Sequence, residues 1–224
     1  MSDRQIVHKR LRGASLATDR YIDVENGSKR SYDHDTKYMD PPTGNYGIYA
    51  KATDGLVLVD IDDYEELDDA TGLAALSELP PTLEQESAHG GTHKLYRVGA
   101  TDDGKLPAAV LAAVFGTMNP NPPWGEVRVA NPYTVGAGSE LDDGCAYTVQ
   151  ADREIAAIGA DDLVDVLAAD PNIERDDIDP DPPDPDESVV LEDVDDRLEF
   201  ALEHDDKLER LWRGDYSDYG GDRS

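Results

Sequence analysis

Short apolar runs, turn residues and helically spaced apolar positions follow one another in an order that predicts an α+β fold. Residues 1–45 are polar and rich in turn formers, with a strand at "RYIDV" and a Pro-Pro-Thr-Gly turn at 41–44, so regular structure is expected to begin in earnest at "NYGIYA". In "GLVLVDIDDY", residues 55–64, Leu56, Val57, Leu58 and Val59 have the character of a buried strand and run straight into Asp60, Asp62 and Asp63. The following "YEELDDATGLAALSEL" spaces Leu67, Leu73, Leu76 and Leu79 for a helix that Pro80 and Pro81 stop. Strands are predicted at "HKLYRV" (93–98), "GEVRVA" (125–130) and "YTVGA" (133–137), and helices over "LPAAVLAAVFG" (106–116) and "REIAAIGADDLVDVLAA" (153–169). The alternation argues for an α+β or α/β core built on one mixed sheet.

That core is expected to span residues 1–169. From 170 to 188 the chain reads "DPNIERDDIDPDPPDPDES", proline and acid with almost nothing apolar, the composition of an extended, hydrated linker. Helical spacing resumes over 189–224, with Val194, Leu198, Leu202, Leu208, Leu211 and Trp212 on one stripe. One short helix or hairpin cannot bury such a stripe alone, so this tail is expected to be a partial helical module that needs a partner.

Composition narrows the setting. The 224 residues include 20 Lys plus Arg against 50 Asp plus Glu, a formal net charge of −30, and the acid is spread along the whole chain. By itself such a balance argues against a nucleic-acid partner, because affinity for phosphate backbones comes mainly from Lys and Arg. In molar salt the Debye length is about 3 Å and the argument loses its force. The repeated Asp-Asp pairs fit a hydrated surface and a halophilic source. The single cysteine, Cys145, excludes a disulfide framework and a zinc site built from several cysteines. With no apolar run near the roughly 20 residues that cross a bilayer, a cytoplasmic protein without a membrane partner is expected.

The chemistry lies where apolar strands meet acid. Side chains alternate along a strand, so Asp60 and Asp62 share a face, and two carboxylates so placed need a cation. An oxygen-only cluster suits Mg²⁺ or Mn²⁺; the alternative is a strand end followed by an ordinary acidic turn. In "HGGTHKLY", Gly90 and Gly91 stand just before His93, a pattern that lets backbone N–H groups approach an anion and places a ring donor beside it, or else a tight turn before a structural histidine. "WGEVRV" puts Glu126 and Arg128 on one strand face, either as a third carboxylate with a cation or as an exposed strand surface.

Taken in order, "GLVLVDIDD", "LPPTLEQESAHGGTHKLYRV" and "GEVRVANPYTVGAGSELDDGCAYTV" resemble the bifunctional primase/polymerase (prim-pol) N-terminal domain of the archaeo-eukaryotic primase superfamily, over roughly residues 44–150. The resemblance implies an RRM-like mixed sheet with a smaller packed α/β unit and, here, a short C-terminal helical tail. It implies template-dependent nucleotidyl transfer, as DNA primase or DNA polymerase, in plasmid or viral replication. Asp60, Asp62 and Glu126 would be catalytic and bind two divalent cations, which activate the attacking 3′-hydroxyl and stabilise the leaving pyrophosphate. His93 would contact the triphosphate of the incoming nucleotide beside Gly90 and Gly91, and the geometry of its strand face adds Arg128. The implied partners are single-stranded DNA template, nucleoside triphosphates and a helicase or helical-domain protein at the tail. The sequence departs from the family at His89, before the two glycines, and at Asn131-Pro132-Tyr133-Thr134-Val135. A metal-dependent nuclease or phosphodiesterase built on the same three acids and a non-catalytic replication accessory protein are the competing functions.

Overall fold

A computed structural model describes residues 1–33, 35–61, 70–169 and 173. Its elements run α1 (Asp3–Gly13), β1 (Tyr21–Val24), β2 (Asn45–Tyr49), β3 (Leu56–Ile61), α2 (Ala70–Ser77), β4 (Leu83–Glu86), β5 (Thr92–Val98), α3 (Pro107–Phe115), β6 (Gly125–Arg128), β7 (Tyr133–Val135), β8 (Thr148–Ala151), β9 (Ala156–Ile158) and α4 (Ala160–Ala168). The α+β class holds. The expected single mixed sheet is instead two sheets, one in the order β1-β2-β7 and one in the order β6-β3-β5-β4-β8, to which β9 adds by pairing with β5. Every pairing is antiparallel except β5–β9. The separation begins at Asn131, whose left-handed backbone (φ 71°) and following Pro132 turn the chain away from β6, so that β7 pairs with β2.

Strand β3 is buried from end to end because both its faces are covered. Val57, Val59 and Ile61 join Tyr96, Val127, Leu111, Phe115, Leu163 and Leu167 in a core between the sheet and α2, α3 and α4. Ile173 packs against the same cluster. Leu56 and Leu58 point the other way, toward Leu83, Leu95, Tyr46, Ile48 and the buried Val7 and Leu11 of α1.

Helix α1 corrects the expectation that regular structure starts only at residue 45. Ser2 and Gln5 form a reciprocal cap: Ser2 Oγ accepts from the Gln5 N–H and Gln5 Oε1 accepts from the Ser2 N–H. Arg4 fixes the helix to the turn before β2 by donating to the carbonyls of Pro42, Thr43 and Gly44, each at 2.6 Å. The helix expected over 153–169 is also corrected. Its first part is strand β9, whose Ala156 N–H donates to Thr82 Oγ1 at 3.0 Å, and helix begins only after Gly159, where Asp162 Oδ2 accepts the Gly159 N–H. An apolar run ending in glycine is indifferent between strand and helix, and the open flank of β5 decides it. Asp62, the linker at 170–188 and the tail at 189–224 lie outside the described residues, apart from Ile173.

Candidate active site

Antiparallel pairing places opposed residues side by side on one face of a sheet. Asp60 of β3 is opposite Glu126 of β6 on one side and His93 of β5 on the other, and His93 is opposite Gln85 of β4. Glu126, Asp60, His93 and Gln85 therefore form one polar row across four strands, on the face that carries Leu56 and Leu58. Arg128, two residues beyond Glu126, belongs to the same face.

Gly125 makes the row possible. A Cβ at this position would lie 1.9 Å from the Asp60 carbonyl oxygen, and its backbone has φ 152°, so only glycine lets β6 lie this close to the end of β3.

The charges are arranged around Asp60, which is 4 % exposed. Its Oδ2 is 2.8 Å from the Arg128 guanidinium, which donates through Nε to Glu126 Oε2 at 2.6 Å and through Nη1 to the Tyr133 carbonyl at 2.8 Å. Arg128 thus bridges the two acids. Asp60 Oδ1 lies 3.2 Å from His93 Nε2, outside hydrogen-bond geometry, and is a buried oxygen without a hydrogen-bond partner. Burial by itself pushes the Asp60 carboxyl up, but the contact with His93 and the charges of His93, Arg128 and Lys29 outweigh it and hold it below the usual carboxylate range. The other ring nitrogen of His93, Nδ1, is 2.7 Å from Thr134 Oγ1 on β7. The second sheet therefore clamps the histidine that the first sheet presents.

A cavity of about 350 Å³ opens onto this cluster, lined by Asp60, His93, Arg128, Thr134, Tyr147, Ser87 and Lys29 among others. It draws on both sheets and on the loops that join them. Gly90 (φ 91°) and Gly91 form the β4–β5 turn at its rim, where the Gly90 N–H donates to the Ser87 carbonyl and the Gly91 N–H to Ser87 Oγ. Gly90 serves the turn through its backbone conformation, since a Cβ there would meet nothing.

The structure thus brings Asp60, Glu126, His93 and Arg128 into contact and sets Gly90 and Gly91 beside them. Asp62 lies outside the described residues. Thr134, Tyr147, Ser87, Lys29 and Gln85 were not anticipated. Only Thr134 left a signal in the sequence, a hydroxyl at the buried position of a short strand.

Carboxylate oxygens of Asp60 and Glu126, one of which is buried and accepts no hydrogen bond, are hard donors of the kind a divalent cation takes. A polar row on a buried strand face thus sets acid, imidazole and guanidinium side by side, with Asp60, His93 and Arg128 lining a cavity. The family model of the N-terminal domain of bifunctional DNA primase/polymerases, Prim-Pol, matches residues 16–160, and the chain belongs to that family. Its members are nucleotidyltransferases of DNA replication that act on DNA and nucleotides and generally depend on divalent metals. No curated protein matches the chain. Among the described residues no helix is long and apolar enough to cross a membrane.

Proposed function

We propose that this chain performs template-dependent nucleotidyl transfer, as a DNA primase, a DNA polymerase or both, in the replication of a plasmid or virus. The observation that carries the reading is the row Glu126–Asp60–His93, of which Asp60 and His93 line the cavity and one buried Asp60 oxygen accepts no hydrogen bond. Asp60 and Glu126, together with Asp62, would hold two divalent cations, Mg²⁺ or Mn²⁺. Such ions, when bound, supply Lewis acidity to the attacking 3′-hydroxyl and take up charge on the leaving pyrophosphate.

The remaining steps fall to side chains of this chain. Arg128 neutralises Asp60 and Glu126 while no cation does so. Once their charge is matched from outside, its guanidinium is free to bind triphosphate oxygens in the cavity it already lines. His93 would donate a hydrogen bond to a phosphate oxygen from a ring whose orientation Thr134 fixes. Gly90 and Gly91 hold the rim turn from which β5 carries His93 into place. In this reading the six-stranded sheet is the RRM-like unit, and the three-stranded sheet with α1 is the smaller α/β unit. The template is single-stranded DNA, and a helicase or helical-domain partner engages residues 189–224.

The test is incorporation of labelled nucleotides on a primed single-stranded template in high KCl with Mn²⁺ or Mg²⁺. The wild-type chain should extend the primer and Asp60→Asn should not. Template degradation without incorporation would replace this reading with a nuclease.

A further inference from the structure

Beyond the polar row, two hairpin tips meet at the rim of the cavity. One is the β4–β5 turn, closed by hydrogen bonds between Ser87 and Gly91. The other is the turn at Leu141–Cys145, closed by the Leu141 N–H to the Cys145 carbonyl and the Gly144 N–H to the Leu141 carbonyl, with Gly144 at φ 80°. Where they touch, His89 Nε2 lies 3.0 Å from Asp143 Oδ2, and Asp143 Oδ1 accepts the Cys145 N–H at 2.9 Å. One nitrogen, one carboxylate oxygen and the chain's single sulfur all lie within 4.8 Å of one another.

We propose that His89, Asp143 and Cys145 form a second metal site, selective for a thiophilic divalent ion of the Zn²⁺ class and separate from the Asp60–Glu126 centre. The donor set carries the argument. Mg²⁺ and Mn²⁺ prefer oxygen, whereas a mixed nitrogen, sulfur and oxygen set is that of tetrahedral Zn²⁺ with water as fourth ligand. Zinc bonds of about 2.0–2.3 Å put neighbouring ligand atoms under 4 Å apart, and here His89 Nε2 and Asp143 Oδ2 are 3.0 Å apart with all three atoms within 4.8 Å. On binding, the zinc–sulfur bond forms as the thiol proton leaves to solvent.

The position gives the site a use. His89 is two residues from Ser87 and four from His93, and Cys145 is two residues before Tyr147, while Ser87, His93 and Tyr147 all line the cavity. An ion joining the tips would tie together two walls of that cavity.

Cobalt titration of the full chain tests the site without reference to catalysis. Because the chain has one cysteine, a sulfur-to-cobalt charge-transfer band reports this site alone. The band should saturate at one equivalent and be displaced by Zn²⁺ but not by Mg²⁺. It should vanish in Cys145→Ser, weaken about tenfold or more in affinity in His89→Asn, and survive in Asp60→Asn. Alkylation of Cys145 should be slowed by Zn²⁺ and not by Mg²⁺. Absence of the band at millimolar cobalt, or equal affinity in His89→Asn, would overturn the proposal. Loss of the band in Asp60→Asn would overturn its independence from the first centre.

Discussion

The two faces of strand β3 are equally buried and could hardly differ more. Toward α2, α3 and α4 it presents Val57, Val59 and Ile61, an apolar surface with no polar demand. Toward α1 and the smaller sheet it presents Leu56, Leu58 and then Asp60, whose charge is met by Arg128 and His93. The contrast shows that burial does not by itself exclude a carboxylate. What admits it is the set of opposed residues that register brings alongside. Val59 has Lys94 and Val127 as its opposites and faces the helices, and Lys94 is already paired with Glu84 at 3.4 Å, so a charge there would have to compete for its only neighbouring cation among the described residues, whereas Asp60 has His93 and Glu126 and the guanidinium of Arg128.

A pair of substitutions one residue apart makes the sharpest break. Val59→Asp should fail to fold, because a carboxylate among α2, α3 and α4 costs more than about 4 kcal/mol and the opposed Lys94 is already paired with Glu84. Asp60→Asn should keep the fold, since Arg128 remains paired with Glu126, yet lose about a thousandfold in nucleotide incorporation. Circular dichroism with a primer-extension assay reads both. A folded Val59→Asp or an active Asp60→Asn would remove the distinction between the two faces.

Gly125→Ala attacks the register itself. Its Cβ would collide with the Asp60 carbonyl oxygen, so β6 must move away from β3 at the point where Glu126 meets the row. We expect a loss of about 1–3 kcal/mol in stability. Incorporation should fall further than the lost stability accounts for, because Glu126 and Arg128 move with the strand. A thermal melt and a primer-extension rate on the same sample check this.

Arg128→Gln separates charge neutralisation from folding. Leaving Asp60 buried without its guanidinium should cost about 3–5 kcal/mol in metal-free buffer, and Mn²⁺ should restore much of it. Acid sensitivity should change as well. The folded Asp60 carboxyl sits below the usual carboxylate range, so its contribution to stability is present above the unfolded value and is lost as pH falls through the lower, folded one. Without Arg128 the folded value rises, and the acid loss should begin at higher pH. Melting curves against pH, with and without Mn²⁺, measure both effects. Failure of Mn²⁺ to stabilise this variant would argue that no cation takes the place of the guanidinium.

Much of this was legible in the sequence, and the gaps have physical causes. β3, β5, β6 and α3 follow from strand runs and helical spacing bounded by glycine and proline. Asp60, His93, Glu126 and Arg128 stand out because polar residues at the ends of apolar strands are anomalous. Helix α1 was missed because its only buried apolar residues are Val7 and Leu11, too few for a strong stripe, although Ser2 and Gln5 carried a capping signal. Strand β4 was missed because Leu83–Glu86 is short and alternates only once. The row is a matter of register, and no single strand encodes its register with another. For the same reason the meeting of His89 with Asp143, 54 residues away, could not be read from spacing.

The smallest effect is expected at Thr134, where the two sheets share a hydrogen bond. The pair Thr134 Oγ1 and His93 Nδ1 is buried, with Tyr147 stacked at a tilt 5.8 Å from the imidazole, so the ring has little freedom except about this contact. Thr134→Val keeps the shape and removes the hydroxyl, leaving one ring nitrogen unpartnered at a cost of about 1–3 kcal/mol. If His93 acts on the triphosphate, the lost restraint should appear as a higher nucleotide KM with kcat nearly unchanged, and Thr134→Ser should restore it. His93→Ala should show the same split more strongly, with template affinity unaffected. A fall in melting temperature without any change in KM, in both His93→Ala and Thr134→Val, would make the imidazole a strut between the sheets. The row would then end at Asp60.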